Sequence, residues 1–344
     1  MTRPSLVLGI ESSCDETAAA VVRDGVEVLS NVVASQHELH ERFRGVVPEI
    51  ASRSHLQRIV PTVREALAQA GATPADLSGV AVTNRPGMIG CLLVGVAAAK
   101  ALCWRFRLPL VGVDHVQAHI HAAFLAAPDL PLPLLALVAS GGHTALYHVD
   151  TPGRGERIGS TRDDAAGEAL DKAAALLGLG YPGGPAIEQA AEGGNPDAVA
   201  FPRALLGPTS IDFSFSGLKT ALLLRVQRSG APGAPAADEV ADLAASFQAA
   251  VVDTLVEKLA RAARPRGVRS LAIGGGVARN RRLRAAIAAH DELRRLAVVF
   301  PPPDLCSDNA AMVAGLGALL LSRGEHATLA LEAAATSRAA VHPR

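Results

Sequence analysis

Apolar positions along this chain fall into two successive runs of similar order. Leu6 to Ile10 is an unbroken apolar stretch that reads as a buried strand. Thr17 to Arg23 and Val26 to Val33 read as two more strands. They are joined by Asp24-Gly25, a strong hairpin signal between apolar runs. A helical pattern covers about Pro48 to Ala70. Next come a strand at Gly79 to Thr83, a helix from about Gly90 to Phe106 and a short strand at Leu110 to Val113. A helix carrying His115 and His119 closes the first run. The pattern then restarts. Leu134 to Ala139, Thr144 to Val149 and Glu156 to Thr161 read as strands, followed by helices from about Ala165 to Leu177 and Pro185 to Ala191. Ser229 to Ala237, rich in Gly, Pro and Ala, reads as a loop. Beyond it lie a helix over about Asp238 to Ala263, a strand at Ser270 to Ile273, a helix at Asn280 to His290 and a strand at Ala297 to Phe300. A last helix opens near Asp308.

Three strands, then strands alternating with helices, predict a mixed sheet with helices packed on it. Two such runs predict two α/β lobes of one duplicated architecture with a cleft between them. No sequence-level repeat accompanies this order. The length of 344 residues also favours two domains. The expected division is 1–130 for the first lobe, 131–330 for the second and 331–344 for a tail.

Composition narrows the function classes. Hydrophobic residues make up 49% and aromatic residues only 3%, so aliphatic side chains must fill the cores. Formal net charge is zero and the pI is about 7.2, so no overall field draws nucleic acid or anionic membrane. A local basic patch would be needed instead, and Arg264, Arg266, Arg269, Arg279, Arg281, Arg282 and Arg284 are candidates. Cys14, Cys91, Cys103 and Cys306 are scattered, with no Cys-x-x-Cys spacing, as in reduced cytosolic proteins. The N-terminus lacks an apolar signal-peptide core, and the longest apolar runs read as broken by Gly, Pro or charge well short of a membrane span. A cytoplasmic protein with no membrane segment is expected.

The candidate chemistry starts with His115 and His119. On a helix, residues four apart share a face, so the two imidazoles can hold one metal ion. The zinc-protease signature places a Glu directly after the first of two such histidines; here that position is Val116, which argues against peptide hydrolysis. Asp308 could open the last helix, where the helix dipole favours an acid, or serve as a third ligand. A His, His, Asp set with open positions suits zinc or iron(II).

Three loops could meet a ligand. Ser140-Gly141-Gly142-His143-Thr144 lies between strands, where glycines bring backbone amides close. Gly274-Gly275-Gly276 follows a strand and precedes a helix, a place suited to negative charge. Glu11-Ser12-Ser13-Cys14-Asp15-Glu16-Thr17 concentrates polar side chains between two buried strands. Gly178 to Gly183 matches Gly-x-Gly-x-x-Gly, but it follows a helix and is crowded by Pro182 and Pro185, so it is no dinucleotide fingerprint.

These stretches, in this order, resemble the TsaD family. The resemblance rests on Gly9-Ile10 with Glu11 to Thr17, Val46-Val47-Pro48-Glu49, Ala51-Ser52-Arg53, the histidine pair and Ser140 to Thr144. It continues in Asp163-Asp164-Ala165-Ala166-Gly167-Glu168, Tyr181-Pro182-Gly183-Gly184-Pro185, Phe213 to Thr220, Gly274 to Val277 and Ser307-Asp308-Asn309. It spans the chain to about residue 320. The chain departs from the family pattern at Ala118, at Asn84-Arg85-Pro86-Gly87 and at Arg44.

The resemblance implies two ribonuclease H-like lobes of the actin, sugar kinase and heat-shock chaperone superfold (ASKHA), with a central nucleotide cleft. It implies transfer of threonylcarbamoyl from threonylcarbamoyl-AMP to N6 of the adenosine 3′ of the anticodon in tRNAs reading ANN codons. His115, His119 and Asp308 would hold one divalent metal, iron(II) before zinc. The adenylate would contact Val138, Ala139, Ser140, Gly141, Gly142, Asp171, Gly184, Glu188 and Asn280. TsaB-like and TsaE-like proteins would be partners. AMP is a good leaving group, so orientation of donor and amine is the main need; no nucleophile or triad is evident and no catalytic residue is assigned.

Overall fold

The computed structural model describes residues 4–40, 43, 45–204, 206–228 and 237–337. Arg44, nearly all of the expected loop from Ser229 to Ala237 and tail residues 338–344 lie outside the described residues.

In chain order the elements are β1 (Leu6–Glu11), β2 (Glu16–Arg23), β3 (Glu27–Ser35), the short α1 (His37–His40), α2 (Pro48–Gln69), β4 (Gly79–Arg85), α3 (Ile89–Phe106), β5 (Leu110–Asp114) and α4 (His115–Ala126). Then follow β6 (Leu134–Ala139), β7 (Thr144–Thr151), β8 (Arg154–Ser160), α5 (Ala166–Leu176), α6 (Gly183–Ala190), α7 (Ser216–Arg228), α8 (Ala237–Ala263), β9 (Ser270–Gly274), α9 (Arg281–Ala289), β10 (Ala297–Val299), α10 (Pro303–Cys306) and α11 (Ala310–Ser322).

The chain divides into two units. The first comprises Met1–Asp129, Pro152–Arg154 and Pro301–Arg344; the second comprises Leu130–Thr151 and Gly155–Phe300. Residues 301–330, expected with the second lobe, group with the first. The reason is visible in α11, which is buried along most of its length from Ala310 to Gly317 against β1, β2 and β4 of the first unit.

Each unit holds a five-stranded mixed sheet. Their orders, β3-β2-β1-β4-β5 and β10-β9-β6-β7-β8, are the same when one is read backwards. In the first, β1 pairs antiparallel with β2 and parallel with β4. In the second, β6 pairs antiparallel with β7 and parallel with β9. The duplication expected from element order is therefore present in the topology.

The first sheet is covered on both faces, which explains its nearly unbroken apolar strands. On one face Leu8, Ile10, Val21, Val80 and Val82 pack with Ile59 and Val63 of α2 and with Val94, Val96 and Ala99 of α3. On the other, Val7, Ala20, Ala81 and Val111 pack with Ala118 and Ala122 of α4 and with α11. With so few aromatics, the second face closes by proximity. A Cβ on Gly9 would lie 2.3 Å from the Ala310 carbonyl oxygen, and one on Gly317 would lie 2.2 Å from the Ala81 Cβ.

One expectation needs correction. By length and composition α3, 18 residues with mean hydropathy 1.6, is apolar enough to cross a membrane. Its glycines and single lysine do not interrupt the helix. In this fold its Cys91, Leu92, Val94, Val96, Ala99 and Cys103 are buried within the first unit.

Candidate functional site

The chain places its histidine pair at the start of a helix through a local cap. Asp114 ends β5, and its Oδ1 accepts hydrogen bonds from the backbone amides of Val116 and Gln117 at 3.0 and 3.3 Å. His115 is then the first helical residue and His119 sits one turn on, with ring centroids 4.6 Å apart. Both are buried. Asp308 arrives from the other end of the chain. Asn309, not Asp308, caps the last helix: its Oδ1 accepts from the Met312 amide at 3.0 Å, and its Nδ2 donates to the Ser307 carbonyl at 2.8 Å. That pins the intervening segment and leaves the Asp308 carboxylate directed at the histidines. Its Oδ1 lies 3.1 Å from His119 Nε2 and 3.5 Å from His115 Nε2.

The three ligand atoms lie within 4.8 Å of one another. Two imidazoles and a carboxylate are a donor set for zinc or iron(II). A fourth group behind them strengthens the fit. Glu11 Oε2 is 2.9 Å from His115 Nδ1, so a carboxylate stands behind the ligand nitrogen. His115, His119 and Asp308 can therefore hold one metal ion.

The electrostatics favour positive charge here. Burial pushes the Glu11 carboxyl up, but the charge and hydrogen bond of His115, with the Thr83 hydroxyl, outweigh it and hold Glu11 below its usual value. Burial would lower the His115 imidazole; the charges of Asp308 and Glu11 reverse that and raise it to about 9. His121, two residues beyond His119, has no such carboxylate partner among the described residues. Burial, then the charge of Arg323, pushes it down to about 4.

Glu16, in the same polar stretch, behaves oppositely to Glu11. Burial, then the charge of Asp15, raises its carboxyl to about 8. Ser35 Oγ donates to one oxygen at 2.9 Å, while the other is buried without a hydrogen-bond partner among the described residues. An acid whose pKa rises from 4.5 to about 8 on folding binds more protons folded than unfolded, so stability falls between those pH values. Glu16→Gln is expected to melt above the unmodified chain at pH 8. The gap should close by pH 4, where both side chains are neutral. Thermal scans across pH check this, and a gap independent of pH would refute it.

The expected substrate-binding residues all lie in the second unit, where a chain of contacts links them. Gly275, at φ 83°, is packed so that a Cβ would lie 2.3 Å from the Ala139 carbonyl oxygen; this ties the end of β6 to the glycine loop. The Ser140 amide donates to the His143 carbonyl at 2.7 Å, and the Gly167 amide to the Ser140 carbonyl at 3.1 Å. A Cβ on Gly141, Gly142 or Gly184 would meet nothing within 4 Å, so those stretches of backbone face open space. Asp171 accepts from the Gly183 amide at 2.6 Å, and burial raises its carboxyl. Glu188 accepts from the Arg281 amide at 2.7 Å, directly after Asn280, whose side chain caps α9 through the Leu283 amide.

The arginine patch is partly engaged within the unit. Arg264 pairs with Glu292 at 2.8 Å, and Arg281 pairs with Glu188 and Glu192. Arg284 lies over the Phe300 ring at 4.5 Å.

Comparison with known proteins follows the same lines. The profile of the TsaD family, described as tRNA N6-adenosine threonylcarbamoyltransferase, matches residues 27–315. A curated relative of that name from Sorangium cellulosum (strain So ce56) is 53% identical over 338 residues, covering 94% of each chain. Another, from Symbiobacterium thermophilum, is 54% identical over 330 residues and 95% of each chain. Among solved structures, HypF of T. kodakarensis aligns with a TM-score of 0.60 at 16% identity, over 93% of this chain and 48% of that one. The activator of the 2-hydroxyisocaproyl-CoA dehydratase from Clostridium difficile, with bound ADPNP, aligns at 0.54 and 13% identity, over 93% and 96%. These distant likenesses show the fold alone: two ribonuclease H-like units of the ASKHA kind.

Proposed function

The chain belongs to the TsaD family of tRNA N6-adenosine threonylcarbamoyltransferases, and on that premise we propose the reaction its residues serve. It is a transferase that acts on tRNA, moving threonylcarbamoyl from threonylcarbamoyl-AMP to N6 of the adenosine 3′ of the anticodon in tRNAs reading ANN codons. The N6–carbonyl bond forms, the bond from that carbonyl to the phosphate oxygen breaks, N6 loses a proton and AMP leaves. The observation that carries the reading is the buried His115, His119 and Asp308 set in a chain matching that family over most of its length.

A bound metal would supply Lewis acidity towards the donor; iron(II) is proposed, with zinc as the alternative. The chain's own residues do the rest. His115, His119 and Asp308 hold the ion. Val138, Ala139, Ser140, Gly141, Gly142, Asp171, Gly184, Glu188 and Asn280 are the proposed adenylate contacts. Support comes from the open backbone at Gly141, Gly142 and Gly184 and from the hydrogen bonds that fix Asp171 and Glu188. With AMP as leaving group, orientation accounts for much of the catalysis, so no catalytic nucleophile is proposed.

TsaB-like and TsaE-like partners are proposed as well. The exposed Leu56 and Val60 of α2 and Ile89 and Leu93 of α3, on helices that meet at Ser52 and Gly90, support a protein partner for the first unit. Four free cysteines support a reducing, cytoplasmic setting.

The test is nucleoside mass spectrometry. An unmodified ANN-reading tRNA is incubated with threonine, bicarbonate, ATP, a threonylcarbamoyl-AMP synthase and this protein, with and without both partners. Threonylcarbamoyladenosine is expected, and it should vanish for His115→Ala. No product, with the partners confirmed active, would overturn the reading.

A further inference from the structure

We infer that Glu11 is a positioning residue for the metal centre: its buried carboxylate decides which nitrogen of His115 faces the ion. The inference rests on the metal-centre reading above. Glu11 ends β1 and is fully buried. Three polar groups converge on it. The Ser13 amide donates to Oε1 at 2.6 Å, Thr83 Oγ1 donates to Oε2 at 2.7 Å, and His115 Nδ1 lies 2.9 Å from Oε2. Both carboxylate oxygens thus already accept a hydrogen bond, which sets Glu11 as an acceptor. His115 Nδ1 must therefore carry a proton, which leaves Nε2, on the Asp308 side, as the nitrogen that can bind a metal.

The arrangement is specific to one ligand. His119 Nδ1 is buried and has no hydrogen-bond partner among the described residues. Its orientation comes from the helix and from Asp308, whereas that of His115 is set by a carboxylate held from β1 and β4. Ser13 adds to this: its Oγ is 3.2 Å from His115 Nδ1, and its carbonyl accepts from the Met88 amide at 2.9 Å, so the loop before α3 fixes its position.

Glu11→Gln is the sharp test because it keeps the shape and removes one acceptor. If the amide group takes the Oε1 side, it faces the Ser13 N–H. If it takes the Oε2 side, His115 Nδ1 must accept, the proton moves to Nε2 and the metal face is blocked. Zinc affinity, measured by chelator competition, is expected to fall about 10- to 100-fold. The melting temperature of the metal-free protein separates this loss from unfolding. Histidine 15N spectra of the zinc-loaded unmodified protein give a second readout that needs no variant. They should show Nδ1 of His115 protonated, with a slowly exchanging proton, and Nε2 bound. Unchanged zinc affinity in a folded Glu11→Gln chain, or ligation through Nδ1, overturns the inference alone. An unmodified chain that binds neither zinc nor iron(II) overturns the metal-centre reading and this inference with it.

Discussion

A chain in which His119 is replaced by alanine is expected to purify folded, to carry no metal and to leave tRNA unmodified. His119 Nε2 lies 3.1 Å from Asp308 Oδ1 and is one of three atoms that can reach a single ion. Its loss leaves two ligands, and a second imidazole cannot move in from the same helix. His121, two residues on, lies against Gly315 of α11, 3.3 Å from where a Cβ of that glycine would stand. The expected fall in metal affinity is more than about 100-fold, beyond the effect of disturbing a group that merely supports a ligand. Metal analysis of the purified protein and the tRNA assay read the two losses separately. His121→Ala is the control: it should cost stability yet keep the metal. A chain that loses its metal with His121 and retains it without His119 would refute the assignment.

The second large effect concerns Gly9. A methyl group there would stand 2.3 Å from the Ala310 carbonyl oxygen and 2.6 Å from the Ala314 amide nitrogen, both backbone atoms of α11. No rotamer change relieves such a clash, so strand and helix must separate. Overpacking a core costs about 1–3 kcal/mol where side chains can yield; with backbone on both sides Gly9→Ala should cost at least the upper figure. Urea denaturation should show a lower midpoint with an unchanged slope. Metal affinity should fall too, because α11 begins two residues after Asp308, which completes the ligand set. Gly217→Ala, on the exposed first turn of α7 with nothing within 4 Å of the added Cβ, should be neutral. Equal stability for the two variants would show that the close approach at Gly9 is unimportant.

Much of this was legible from local pattern. The unbroken apolar strands, the Asp24-Gly25 hairpin and the four-residue histidine spacing are short-range signals, and each corresponds to an element or a pair in the structure. The ordered motifs carried the family. What stayed hidden depends on contacts far apart in sequence. The role of Glu11 is set by Thr83 and His115, 72 and 104 residues away; the available signal was a carboxylate closing an otherwise wholly apolar strand. The return of the last helix to the first unit could have been suspected from Ala310 to Leu321, which offers no polar face and so must be covered on several sides. Read as a row of charges, the arginines suggested a binding patch. In the fold Arg264 and Arg281 answer carboxylates of their own unit.

The first unit is assembled from both ends of the chain, with the second unit inserted in its middle. During translation His115 and His119 leave the ribosome long before Asp308, with 189 residues separating His119 from that carboxylate. A nascent chain made as far as Phe300 has its second sheet complete, yet its first sheet lacks α11 across one face. A metal ion can meet all three ligands only once the chain has been made past residue 308. A chain that stops before residue 308 carries two histidines of the set without the carboxylate that completes it.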